Sequence, residues 1–236
     1  MKRDRREGRH PFVVVEGGDG AGKTSVRQHL FARLREHGVV ALSTIPVSWL
    51  VPAATEVITK AKYLGYAFPP ERIVRAYVRD KEELTARILD PHLPWRPAIC
   101  DRFVMSDVVY NEIVFGIARD DMAAAYRASA VREPDLVVFI DTPPEVAVER
   151  LRRRAHGQGH PWEALEPQRR VAAGFQAVLA QNPMALAAEV IRIDNAGDLA
   201  RTLERVDALV LPRLLAAADT PHALPASRAP APRGES

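Results

Sequence analysis

The sequence is short of cysteine, of lysine and of long uninterrupted apolar runs. Cys100 is its one cysteine, which excludes an intramolecular disulfide framework and any zinc site built from cysteines. The seven histidines show no H-E-x-x-H or similar spacing, so no histidine metal site is predicted. Charge of one sign is also missing from the body of the chain. Residues 1–10 carry Lys2, Arg3, Arg5, Arg6 and Arg9 against Asp4 and Glu7, which accounts for the whole net charge of +3. The remainder holds 28 basic and 28 acidic residues, so charge implies no nucleic-acid partner. Only Phe12 to Val15 separates the basic start from Glu16, too little for a signal-peptide core. The uncharged run from Gly38 to Thr55 is broken by Ser43, Thr44, Pro46, Ser48 and Pro52. It reads as a buried strand followed by a loop, not as a membrane span. A cytoplasmic protein with no membrane partner is expected.

What is present is ordinary globular material, 236 residues with 47% hydrophobic and 27% charged. No repeat of 20–50 residues is visible. Residues 1–10 read as a basic flexible arm and residues 11–215 as a single domain. Residues 216–236 read as a disordered tail, because half of residues 217–236 are Ala or Pro and cannot bury enough surface to offset ordering. Within the domain, apolar runs at Phe12–Glu16, Val39–Ser43, Ala98–Asp101, Leu136–Asp141 and Val190–Asp194 are strand candidates. Val26, Leu30 and Leu34 mark one face of a helix that ends at His37-Gly38. Thr142-Pro143-Pro144-Glu145 has the form of a capping box opening a helix to about Arg154. Further helices are predicted near 70–90, 104–115, 120–131, 163–181 and 197–215. Strands alternating with helices imply an α/β fold around a parallel sheet with helices on both faces. Ligands of such sheets bind beyond the carboxyl ends of the strands.

The strongest motif falls there. Gly17-Gly18-Asp19-Gly20-Ala21-Gly22-Lys23-Thr24 fits G-x-x-x-x-G-K-[ST] in full, after a strand and at the start of a helix. Its glycines let backbone N–H groups wrap phosphate oxygens, and the helix N-terminus adds positive potential. Lys23 is placed to reach the β- and γ-phosphates of ATP, and the Thr24 hydroxyl to ligate Mg²⁺. Asp101-Arg102 ends the third apolar run. The carboxylate suits a magnesium-bound water and the guanidinium a pair of phosphate oxygens, although a capping Asp beside a surface Arg has the same pattern. Arg150, Arg152, Arg153 and Arg154 precede Gly157 and Gly159, either as a solvated helix face or as part of a mobile lid. Tyr77 and Tyr110 suit either a core or a base-stacking role. Cys100 reads as inert and buried.

Taken together, Phe12–Thr24, Asp101–Tyr110 and Pro134–Arg150 resemble the thymidylate kinase family of P-loop nucleoside-monophosphate kinases, over about residues 11–212. The resemblance implies a P-loop kinase fold with five parallel strands, ATP as donor, Mg²⁺, a small phosphorylated acceptor and a homodimer. It implies that Asp19 lies near the acceptor's sugar hydroxyl, that Arg102 binds the acceptor phosphate, and that Asp101 lies near the magnesium. It places Tyr77 against the base, with Lys81 where the family has an arginine, and Ser106, Asp107 and Tyr110 in the same pocket. Arg153, in a lid near 152–162, is the implied catalytic arginine, and Asn195 to Gly197 are implied to face the adenine. Two departures stand out. Thr44-Ile45-Pro46-Val47 replaces the family's Arg-Glu-Pro-Gly, which removes two charges from the acceptor side. Asp107 adds a carboxylate where a base would lie, favouring an N–H or amino donor. The implied activity is transfer from ATP to dTMP, or to another nucleotide or small phosphorylated metabolite. The reading from a different class is a P-loop switch protein that turns over no acceptor.

Overall fold

A computed structural model describes residues 9–154, 164–181 and 186–216 of the chain. Five strands form one sheet: β1 (Phe12–Glu16), β2 (Leu42–Thr44), β3 (Ala98–Asp101), β4 (Leu136–Asp141) and β5 (Val190–Asp194). Their order is β2-β3-β1-β4-β5 and every pairing is parallel. The apolar run of β1 is buried on both faces, as a central parallel strand requires. Alternation along the strands feeds two cores. Phe12, Val14, Ala98, Cys100, Val137 and Phe139 face one, and Val13, Val15, Ile99, Val138 and Ile140 face the other.

The second core is covered by α1 (Lys23–Glu36), α9 (Leu199–Leu209) and α10 (Leu211–Leu215). The first lies under α2 (Pro52–Leu64), α3 (Pro70–Leu84), α5 (Val104–Phe115), α6 (Arg119–Arg127) and α8 (Leu165–Ala180). A π-helical turn, Thr85–Leu89, and the short α4 (Asp90–His92) continue α3, and α7 (Pro144–Arg154) follows β4. Chain reversal on either side of β1 makes its carboxyl end the switch point of the sheet, where a ligand crevice belongs.

Several elements differ from expectation for local reasons. Strand β2 begins at Leu42, not Val39, because residues 38–39 still close the preceding helix. Gly38 is left-handed, its N–H donates to the Arg35 carbonyl, and that of Val39 to the Leu34 carbonyl. The run to Thr55 is not all loop: α2 begins at Pro52. Its buried stripe is Ala54, Val57, Ile58 and Ala61, and it stops at left-handed Gly65. The single helix expected over 197–215 divides at Val210, two residues before Pro212. The capping box at Thr142 does not form. The Thr142 hydroxyl donates to the Ala21 carbonyl at 3.1 Å, and Glu145 takes Arg169 instead. Arg9, expected in a flexible arm, grips both oxygens of Asp135 at 2.7 Å. The rest of that arm, residues 217–236 of the tail and residues 155–162 of the lid lie outside the described residues.

Candidate active site

The loop Gly17–Gly22 joins β1 to α1 at the switch point. Two glycines in it are structural necessities. At Gly20, with φ of 75°, a Cβ would lie 2.4 Å from the Ala147 carbonyl oxygen. At Gly22, with φ of 94°, it would lie 2.6 Å from the Asn195 amide nitrogen. That amide also holds the loop in shape. Asn195 Nδ2 donates to the Ala21 carbonyl at 2.7 Å, its Oδ1 accepts from the Thr202 hydroxyl at 2.8 Å, and Arg150 donates to its carbonyl. Asn195 is 1% exposed, so its side chain braces the loop from behind.

Lys23 is buried, and its ammonium donates to the Gly18 carbonyl at 2.6 Å. Burial, with Arg102 nearby, pushes the Lys23 pKa down to about 7, against the pull of Asp19, Asp101 and Glu16. Thr24 is exposed on the first turn of α1. At the end of β3, Asp101 presents Oδ1 as a buried oxygen with no hydrogen-bond partner, while its Oδ2 lies 3.9 Å from Arg27. An orphaned carboxylate oxygen beside a phosphate loop fits a cation-bound water, and Thr24 fits a direct ligand. Among the described residues no three His, Cys, Asp or Glu gather to hold a metal by themselves, so phosphate and water would supply the remaining ligands.

Arg102 has left-handed backbone, with φ of 63°, immediately after the strand. Its guanidinium donates to the Gly17 carbonyl at 3.0 Å and the Ser106 hydroxyl at 3.1 Å, forms an ion pair with Asp19, and stacks over the Tyr110 ring. Tyr110 in turn donates to Asp19 Oδ2 at 3.1 Å. Burial opposes ionisation of Asp19, yet Arg102 and Lys23 hold its carboxyl below the usual carboxylate range.

Glu16 is the residue that sequence reading passed over. It is fully buried at the end of β1, accepts from the backbone N–H groups of Phe103 (2.8 Å) and Ser106 (3.2 Å), and takes the Ser106 hydroxyl. Burial pushes its carboxyl up to about 7 against those hydrogen bonds. It therefore fixes the turn that carries Arg102. The signal was there, since Glu16 is a charged residue closing a wholly apolar strand. Glu16→Ala is expected to destabilise the fold by about 1–3 kcal/mol, because the buried N–H groups of Phe103 and Ser106 would lose their acceptor. A thermal melt checks this, and an unchanged melting temperature would contradict it.

Further along the crevice, Tyr77 is 6% exposed and joins the core that α3 shares with α5. Lys81 is 0% exposed and bonds the Pro46 carbonyl at 2.5 Å, with Asp107 at 3.0 Å. Asp107 and Asp80 keep its ammonium above the usual lysine range despite burial. Asp107 also accepts from the Tyr126 hydroxyl at 2.7 Å, and burial raises its carboxyl. Asp80 binds the Ser48 amide and hydroxyl, so the segment that replaces Arg-Glu-Pro-Gly is clamped onto α3 by Asp80 and Lys81. The fold thus gathers Asp19, Lys23, Asp101, Arg102, Ser106 and Tyr110 around the phosphate loop, and Tyr77, Lys81 and Asp107 beside them. Arg153 is not among them. It stands 77% exposed at the end of α7, paired with Glu149 at 2.9 Å.

The thymidylate kinase family model matches residues 15–190, a span that includes the phosphate loop, the Arg102 turn and α7. The chain belongs to the thymidylate kinase family. A thymidylate kinase of Synechococcus sp. strain JA-3-3Ab is 31% identical over 212 residues, covering 89% of this chain and all of that protein. That of Synechococcus sp. strain JA-2-3B'a(2-13) is 31% identical over 208 residues, 86% of this chain and 95% of its own. That of Oceanobacillus iheyensis is 27% identical over 181 residues, 73% and 78% of the two chains. The protein is accordingly a nucleotide-binding kinase with the P-loop kinase fold, and the family's acceptors are nucleoside monophosphates. No helix among the described residues is long and apolar enough to cross a membrane.

Proposed function

We propose that this kinase transfers the γ-phosphoryl group of ATP to a nucleoside monophosphate, with dTMP to dTDP as the first reading. The supporting observation is Arg102, whose guanidinium lies against Gly17 and so adjoins the phosphate loop with the charge an acceptor phosphate needs. An acceptor phosphate oxygen attacks the γ-phosphorus, the bond to the β,γ-bridging oxygen breaks, and ADP leaves. Catalysis of this kind is positioning and charge stabilisation. Backbone N–H groups of Gly17–Gly22 hold the donor phosphates, Lys23 balances charge on the β- and γ-oxygens, and Arg102 aligns the acceptor. Asp19 and Tyr110 orient Arg102 and the acceptor sugar. Thr24, and Asp101 through water, would hold Mg²⁺, which would supply charge neutralisation to the phosphates. Asn195 serves the donor site through the loop backbone. A homodimer and a cytoplasmic location belong to the same reading.

A different monophosphate or small phosphorylated acceptor is the second reading. It is favoured by the clamped segment from Thr44 to Ser48, which carries neither the arginine nor the glutamate of the family motif. An ADP-release assay across nucleoside monophosphates and small phosphorylated compounds tests both. Release dependent on a nucleoside monophosphate supports the proposal, and release indifferent to every acceptor contradicts it.

The lid arginine is part of the proposal. An exposed i,i+4 pair contributes only about 0.3–0.5 kcal/mol, so Glu149 restrains Arg153 weakly. Replacing Arg152, Arg153 and Arg154 together with glutamine is expected to lower kcat about tenfold or more with little change in KM for ATP. An unchanged kcat would make the cluster a solvated helix face.

A further inference from the structure

The acceptor end of the crevice sets one buried cation against two carboxylates. Lys81 lies 3.0 Å from Asp107 Oδ2 and 3.7 Å from Asp80 Oδ2, and its ammonium also binds the Pro46 carbonyl. Asp80 is occupied by Ser48, whose amide reaches both carboxylate oxygens at 3.0 and 3.1 Å. Asp107 differs. Both of its side-chain contacts, Lys81 at 3.0 Å and the Tyr126 hydroxyl at 2.7 Å, fall on Oδ2. Among the described residues no hydrogen bond engages Oδ1. Asp107 is three residues before Tyr110, so the two share a face of α5. Its neighbours Ser106 and Tyr110 touch Arg102 and Asp19 of the phosphate loop, so Asp107 stands on the stretch of α5 that borders the site.

Building on the second reading above, a monophosphate other than dTMP, we infer that Asp107 selects an acceptor nucleotide whose base presents an exocyclic amino group, as cytosine does. An ionised carboxylate is an acceptor only, and an amino group at a base edge is its natural partner. Thymine and uracil present a carbonyl at that position, which sets lone pairs against lone pairs. Their ring N–H can still donate, but a carbonyl on each side of it then crowds the carboxylate. Lys81 cannot compensate by donating to the carbonyl. It is 0% exposed, and its ammonium is already committed to Asp107 and Pro46. The carboxylate, the buried lysine and the clamped Pro46–Ser48 segment thus act as one specificity element.

The test compares dCMP with dUMP, which differ in amino against oxo at C4 and in the hydrogen on the adjacent N3. It measures kcat/KM with ATP and, separately, equilibrium binding to the full chain. The expected preference for dCMP is at least about tenfold, the effect of one hydrogen bond to a charged group. Asp107→Asn, whose amide can present either an oxygen or an N–H₂, should bring the two within about threefold. That variant leaves Lys81 short of a counter-charge, so Asp107→Asn combined with Lys81→Met removes both charges and guards against misfolding. Equal or preferred use of dUMP or dTMP by the native protein overturns the inference and leaves the phosphotransferase reading standing. So does a preference that neither variant moves. Transfer to no monophosphate at all overturns the phosphotransferase reading, and the ratio of dCMP to dUMP binding still decides the role of Asp107.

Discussion

Lys23→Ala is expected to reduce phosphoryl transfer about a hundredfold or more while the protein stays folded. The ammonium's hydrogen bond is to the Gly18 carbonyl of the loop, so its removal costs the empty fold one loop contact. Burial and Arg102 already strain its charge, pushing the pKa down to about 7. A buried cation without a carboxylate contact is stabilised when phosphate arrives, so its effect is on nucleotide and not on the empty fold. The melting temperature without ATP should be unchanged or slightly higher, and ATP should no longer raise it. Thermal melts with and without ATP, alongside turnover, check both halves. Near-normal turnover by a folded variant would remove the phosphate loop from the mechanism.

Arg102→Ala is expected to be nearly as severe, but through the acceptor. With Thr44 and Ile45 in place of the family's charged pair, Arg102 is the one cation of the described acceptor site that also contacts the phosphate loop. A hydrogen bond to a charged group contributes about 1.5–3 kcal/mol, so losing it should raise the acceptor KM about tenfold to a hundredfold. The KM for ATP should change little, because the donor phosphates rest on backbone N–H groups and Lys23. Arg102→Lys should recover only part of the loss, since an ammonium cannot reproduce a fork that spans Gly17, Ser106 and Asp19. Equal rises in both KM values would show that Arg102 merely supports the fold around α5.

How much of this was legible beforehand follows from the range of the interactions. Strands β1, β3, β4 and β5 were legible to the residue, because their apolar runs end at Glu16, Asp101, Asp141 and Asp194. Helix α2 was not, although Pro52 and Gly65 bracket an apolar stripe, because the run before it carries no charge to show periodicity. The phosphate loop is local in sequence and was read in full. The rest of the site depends on pairs far apart in the chain: Glu16 with Ser106, Asn195 with Ala21, Lys81 with Pro46, Asp80 with Ser48. No spacing rule encodes those. Residue type indicated that Asp107 adds charge to the acceptor side. Only the fold showed that a buried lysine takes one of its oxygens and leaves the other without a hydrogen bond.

The central claim is that a phosphoryl group passes from ATP to a nucleoside monophosphate at the Lys23–Arg102 site. The most direct measurement follows γ-labelled ATP in the presence of dTMP, dCMP, dUMP and dAMP. The expected result is label in a nucleoside diphosphate, lost in both Lys23→Ala and Arg102→Ala. Label found only as free phosphate, or a labelled diphosphate that persists in the folded Lys23→Ala protein, would contradict it.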